Sequence, residues 1–404
     1  MLRRLVVAVG AIVLVAAVPA AQAVAGAHAR ARGAVHVKRA CAVPTSAGEA
    51  ACYALVRTDA GGRPLVSTAL PKGYGPAQFH TGYDLPTTTG TPQTIAIVDA
   101  FAEPNIVSDL NTYDATYGLP KFKLCANLAQ HDCLAVLNQN GKKKPRPATN
   151  GGWGLEIALD VETAHEICQN CRINLYESNN ESFKSLETSV DTAAAQGADV
   201  ISNSYGNFGH DCAPNAAYHH PGIAVTVSAG DDGFGVSCPA VMNTVVAVGG
   251  TRLNLDRSNH YLSESVWAGS GSGCSTKNTA RPWQTDESTW GAIACGTGRG
   301  MNDVAADASP ATGAAVYDTF GFGGWVTVGG TSVSSPLIAG VYALAGNASS
   351  FAYPARSVYL APGSDLHDVT TGNDGACTHL LQCHAGAGFD LPTGVGTPKG
   401  MGAF

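Results

Sequence analysis

The chain has 404 residues, 45% of them apolar, enough to build a large core and too many for a disordered tail or a small peptide. Lys plus Arg number 24 against 31 Asp plus Glu, a net charge of −7 with no basic footprint, which excludes nucleic acid as a partner. Charged residues make up only 14% and glycine fills 48 positions, a profile that suits a loop-rich extracellular protein.

Arg3 and Arg4 precede an apolar run from Leu5 to Val18, followed by the small-x-small patterns Ala21-Gln22-Ala23 and Ala27-His28-Ala29. This reads as a signal peptide over residues 1–23, so the protein is expected to be secreted. The run is shorter than the roughly 20 residues of a spanning helix, so no membrane association is expected after signal cleavage. A monomer is expected. Residues 24–76 are rich in Ala, Gly, Arg and Pro with weak periodicity, and read as a short leader or N-terminal clasp.

From residue 77 to 404 the pattern is that of one catalytic-size domain. Thr94–Val98 is a buried-strand run, followed by a helix near Asn105–Tyr117 and a Gly-Leu-Pro stop at 118–120. Helices are then predicted over Trp153–Ile167 and Ser182–Gln196. Strands are predicted at Arg172–Tyr176, Asp199–Asn203, Gly222–Ser228 and Thr244–Val248. This alternation implies an α/β fold with a mainly parallel sheet flanked by helices, and with functional residues just past the C-terminal ends of the strands. Lys142, Lys143 and Lys144 sit in a polar stretch and read as a solvated loop.

Twelve cysteines accord with an oxidising compartment. Neighbours fall into local pairs: Cys41 with Cys52, Cys125 with Cys133, Cys168 with Cys171, Cys212 with Cys238, Cys274 with Cys295, and Cys377 with Cys383. Cys168 and Cys171 could instead form half a zinc site or a redox pair, but no second CxxC exists to complete a zinc site.

Three segments carry chemistry. In Gly329-Gly330-Thr331-Ser332-Val333-Ser334-Ser335-Pro336 a serine enters a helix at its positive end, where backbone N–H groups favour a developing oxyanion; the plainer reading is a capping serine. In Trp153-Gly-Leu-Glu156-Ile-Ala-Leu-Asp160 two carboxylates four residues apart share one helix face among apolar neighbours, so each raises the other's pKa and one can act as a base. In Val225-Thr-Val-Ser228-Ala-Gly230-Asp231-Asp232-Gly233 an acid ends a buried strand. Asp231, if protonated, can donate a hydrogen bond to an oxyanion; a helix cap or a cation ligand is the alternative. A serine nucleophile ordinarily pairs with histidine, and the nearest candidate, His165, lies half a turn out of phase with Glu156 on the same helix.

Together the ExxLD, SAGD and GTSxxxP segments resemble the sedolisin family of serine-carboxyl peptidases, over roughly residues 77–404. The resemblance implies a subtilisin-like fold, Ser332 as nucleophile, Glu156 as general base, Asp160 linked to Glu156, and Asp231 as the oxyanion-hole acid. It implies that Ser204, Tyr205 and Gly206 line the substrate. It also implies one structural Ca2+ held by Asp368, Val369, Gly386, Gly388 and Asp390, and protein or peptide substrates. The expected activity is acidic, because Glu156 must take a proton while Asp231 stays protonated. Family members usually carry a large prodomain, whereas about 50 residues separate the signal from the catalytic pattern here, so activation by removal of such a domain is not expected. Asp99, at the end of the first buried strand, reads as structural. Two rivals remain: a non-catalytic binding protein on the same scaffold, and a hydrolase using Asp99, His165 and Ser332.

Overall fold

The computed structural model describes residues 35–127 and 130–404, and the expected signal sequence lies outside them. Its centre is a nine-stranded sheet. The strand Thr94–Ala100 lies in the middle, with Arg172–Ser178, Cys133–Asn138 and Lys123–Leu124 on one side and Val200–Asn203, Ala224–Ser228 and Val246–Leu255 on the other. All of these neighbours are parallel; the edge strand Tyr261–Val266 is antiparallel, and Val304–Asp307 also pairs with Val246–Leu255. The runs are apolar because both sheet faces are covered.

Register shows which helix covers which face. Ile97 pairs with Ser202, whose hydroxyl meets Ser335 at 3.2 Å in the helix Thr331–Ala345. Val98 pairs with Tyr176, whose hydroxyl donates to Gln196 at 2.9 Å, just past the helix Phe183–Ala195. Ile97 and Val98 are consecutive and point to opposite faces, so the two helices cover opposite sides of the sheet.

From Thr94–Ala100 the chain runs to the edge strand Lys123–Leu124, returns inward through Cys133–Asn138 to Arg172–Ser178, and then builds outward on the other side, so the order reverses at the central strand. Ligand sites in such sheets form beyond the C-terminal strand ends at this reversal. Asp99, Ser204 and Asp231 all lie there.

The helix Gly151–Ile167 starts where the Asn150 side chain accepts from the Gly152 and Trp153 amides at 3.0 and 3.2 Å. From Trp153 onward it is buried on every side, acidic residues included. It packs against the helix Thr331–Ala345 at Gly340. A β-carbon at Gly340 would sit 2.5 Å from a methyl of Ile167, so the two backbones approach at a distance that only glycine permits. That contact brings the serine of one helix beside the acids of the other.

Residues from Val35 onward belong to the same compact unit as the rest. His36–Arg39 pairs antiparallel with Leu55–Thr58, which pairs with Gly324–Gly329. Ala51–Cys52 pairs antiparallel with Tyr205–Phe208. All six cysteine pairs form disulfides as expected, and Cys168–Cys171 is a bridge rather than a metal or dithiol site.

Candidate active site

Ser332 is the second residue of its helix and is fully buried. Its Oγ accepts from the Tyr53 amide at 3.1 Å and donates to the Ser204 carbonyl at 3.1 Å. Glu156 and Asp160 face it from the neighbouring helix. Their four oxygens are buried, and none has a partner in hydrogen-bond geometry. Two other acids on the same helix each have one oxygen bonded and one unpaired: Glu162 accepts from the Tyr317 amide at 3.0 Å and Glu166 from the Tyr113 hydroxyl at 2.6 Å. Glu156 and Asp160 differ from these two in having no oxygen bonded at all.

Burial pushes the Glu156 carboxyl well above the ordinary range, the charge of Asp99 raises it further, and the nearby Ser332 hydroxyl opposes the rise. Asp160 is raised by burial, then by Asp99 and Glu156, against the Ser204 hydroxyl. Asp99 is itself pushed to about 8, by burial and by Glu177. Asp99 thus belongs electrostatically to a buried cluster of three carboxyls, of which the sequence reading recognised two. Three carboxyls in one dry pocket cannot all ionise, and protons are shared among them.

Asp231 follows the strand Ala224–Ser228. Its Oδ1 accepts from the Thr331 amide at 2.8 Å and from the Thr331 hydroxyl at 3.0 Å. Its Oδ2 is buried without a partner. Burial pushes this carboxyl to about 7, although the Thr331 bonds favour ionisation. Gly330 has φ 103°, and a β-carbon there would lie 1.8 Å from the Tyr53 carbonyl oxygen and 2.5 Å from Asp231 Oδ2. Only glycine leaves room for a carbonyl oxygen beside that acid.

His165 does not join this group. It is buried, with Nε2 3.1 Å from Asp114 and 3.1 Å from the Pro120 carbonyl, and its ring lies against Phe122. The serine–histidine rival has no geometric support.

Residues 143–358 match the subtilase family. The chain belongs to that family. It is 28% identical over 370 residues to sedolisin from Pseudomonas sp. (strain 101), covering 82% of this chain and 61% of that protein. It is 27% identical over 365 residues to kumamolisin from Bacillus sp. (strain MN-32), covering 83% and 63%. The chain thus spans less than two thirds of the length of these relatives. The structure of Pseudomonas sedolisin, a serine-carboxyl proteinase, superposes with a TM-score of 0.66 at 25% identity, covering 82% of this chain and 96% of that one. Within the subtilases the chain is a member of the sedolisin family.

The residues expected to hold Ca2+ come together in part. Asp390 is buried and its carboxyl is pushed to about 7 by burial, with the Asp368 charge adding to the rise. Asp390 accepts from the Gly386 and Thr393 amides at 2.9 Å each and from the Thr393 hydroxyl at 2.8 Å. The exposed Asp368 accepts from the Gly388 amide at 3.0 Å, and Val369 is buried beside it. A buried carboxylate facing a second one, on a loop with free carbonyl capacity, suits a hard cation. A separate acidic group, Glu103, Asp109 and Asp318, was not foreseen; its carboxyl oxygens lie within 4.8 Å of one another.

No helix among the described residues is long and apolar enough to cross a membrane.

Proposed function

We propose that the chain is a secreted serine-carboxyl peptidase that hydrolyses peptide bonds through an acyl-enzyme on Ser332. The observation that carries this reading is the convergence of Ser332, the unsatisfied Glu156–Asp160 pair and the free Oδ2 of Asp231 on one buried point.

A peptide laid along Ser204, Tyr205 and Gly206, where the strand Ala51–Cys52 lies in this structure, adds a strand to that backbone and orients its carbonyl carbon toward Ser332. Glu156 takes the Ser332 proton as Oγ attacks. Asp160 and Asp99 hold the remaining protons of the cluster and keep Glu156 oriented. Protonated Asp231 donates from Oδ2 to the oxyanion. Glu156 then returns its proton to the departing amine, and water hydrolyses the ester by the reverse path.

From the sequence, both acid–base conditions are expected to fail toward neutral pH. The burial of the carboxyls changes half of that: a raised Glu156 becomes a better-populated base as pH rises, and Asp231 alone accounts for the loss above about 7. Activity therefore rises with ionisation of the carboxyl cluster and falls with ionisation of Asp231, giving a bell. Bound Ca2+ at Asp368 and Asp390, with the carbonyls of Val369, Gly386 and Gly388, would neutralise the two carboxylates and hold the C-terminal loop.

The test is digestion of a denatured protein between pH 3 and 8 by the wild type, Ser332→Ala and Glu156→Gln. Acid-side activity lost in both variants supports the reading. A folded wild type inactive at every pH, with Ca2+ supplied, refutes it and favours the binding-protein alternative.

A further inference from the structure

The stretch Ala51-Cys52-Tyr53-Ala54 occupies the place just assigned to a substrate. Ala51 pairs with Gly206 and Cys52 with Tyr205 in antiparallel register. The Tyr53 amide donates to the Ser204 carbonyl at 3.2 Å and to Ser332 Oγ at 3.1 Å. The Tyr53 carbonyl oxygen and Asp231 Oδ2 are neighbours across Gly330. The Ala54 amide faces Glu156 and opposes the rise of its carboxyl. Nucleophile, oxyanion acid and proton donor thus address one peptide bond, Tyr53–Ala54. On either side the segment is anchored: the Ala50 amide donates to the Glu181 carbonyl at 2.9 Å, and Leu55–Thr58 pairs with the strand Gly324–Gly329.

The Tyr53 side chain is buried, with its hydroxyl 2.6 Å from Ser237 Oγ. Burial raises the phenol, so it stays protonated and can donate to Ser237. Arg39 of the same segment pairs with Asp232, next to the oxyanion acid. The Cys41–Cys52 disulfide closes a loop that lies wholly on the amino side of Tyr53–Ala54.

We propose that Tyr53–Ala54 is the chain's own first cleavage site, and that the pocket at Ser237 selects peptides with tyrosine as the residue whose carbonyl is attacked. The proposal rests on the peptidase reading above. Ser332 Oγ forms an ester with the Tyr53 carbonyl carbon and its proton passes to Glu156. The Tyr53–Ala54 C–N bond breaks and the Ala54 amine leaves with that proton. Water then hydrolyses the ester, leaving a Tyr53 carboxyl group and a free Ser332. Both cysteines of the first disulfide depart together, so release requires no reduction. Until the piece ending at Tyr53 leaves, the substrate strand stays filled and the site is closed to other peptides. That piece is still held by the pairing of His36–Arg39 with Leu55–Thr58 and of Ala51–Cys52 with Tyr205–Phe208, by the Arg39–Asp232 ion pair, and by the Ala50 and Tyr53 hydrogen bonds.

The experiment brings the oxidised full chain to pH 4 with a reporter pair, two peptides differing in Tyr or Phe before the scissile bond. Intact mass and N-terminal sequence are followed alongside reporter hydrolysis. The wild type is expected to acquire Ala54 as its N-terminus, Ser332→Ala to remain uncut, and reporter hydrolysis to begin after a lag that tracks the cut. One buried hydrogen bond should give about a five- to tenfold preference for Tyr over Phe in kcat/KM, falling to near unity in Ser237→Ala. Reporter hydrolysis at full rate with Tyr53–Ala54 intact overturns the self-cleavage and leaves the peptidase reading standing. A Tyr preference unchanged in Ser237→Ala overturns the pocket assignment. No hydrolysis of chain or reporter overturns both readings.

Discussion

Replacing Asp231 by Asn separates the oxyanion acid from the rest of the machinery. Asn has the same shape: its Oδ1 can keep the two Thr331 bonds, and its amide nitrogen takes the place of the unpartnered Oδ2. The wild-type carboxyl titrates near 7, so at pH 8 roughly one molecule in ten still carries the donating proton, and kcat should fall about tenfold from its plateau. An ionised Asp231 also repels the oxyanion, whereas the amide donates at every pH. Asp231→Asn should therefore lose up to about tenfold at pH 5, because a neutral amide is the weaker donor, and then show no alkaline fall up to pH 8. Asp231→Ala, with no donor, should lose about 10²–10³ throughout, equivalent to about 2.7–4 kcal/mol. The assay is kcat at saturating peptide from pH 4 to 8.5, since kcat reports the groups of the substrate complex. An Asn variant whose alkaline limb runs parallel to that of the wild type refutes the assignment.

Stability should depend on pH in the sense opposite to that of ordinary acid-labile proteins. Asp99, Glu103 and Glu166 are pushed to about 8 and Asp231 to about 7. Carboxyls raised in the folded state favour folding fully below their unfolded values near 4, and that contribution is lost as pH rises through 7 to 8. The Tm of Ser332→Ala should drop by about 5 °C or more between pH 4.5 and 8, and a Tm that rises over this range contradicts the argument. Gly340→Ala should cost about 1–3 kcal/mol and lower kcat by pushing Ser332 away from Glu156, with Ile167→Ala restoring part of both; unchanged Tm and kcat would count against the helix contact as the positioning element. Chelation of Ca2+ should lower the wild-type Tm and leave Asp390→Asn unaffected, while a Tm indifferent to Ca2+ removes the ion from the account.

The sheet was legible because its strands are short apolar runs set off by turns, and the helices because their spacing is regular. The strand predicted as Thr94–Val98 runs two residues further to Ala100, the one predicted as Thr244–Val248 continues to Leu255, and Cys133–Asn138, Tyr261–Val266 and Val304–Asp307 were not predicted. Ser332, Glu156, Asp160 and Asp231 could be proposed from sequence because each sits in a short motif that resembles the family's. Asp99 was seen and assigned a structural role, because its closeness to Glu156 depends on how the helix Gly151–Ile167 lies across the sheet, which no local pattern encodes. Tyr53 was not legible at all. Its segment has weak periodicity, and its meaning comes from pairing with Tyr205–Phe208 about 150 residues later. The nearest hint was the Cys41–Cys52 pair, which marked the segment as ordered without saying against what.

The central claim is the acyl-enzyme on Ser332, and rapid acid quenching during turnover of a tyrosyl peptide ester tests it most directly. Mass spectrometry of the processed wild type should find the acyl group on the peptide containing Ser332, and none in Ser332→Ala. Ester turnover at full rate with no adduct, or with an adduct on another residue, would contradict the account.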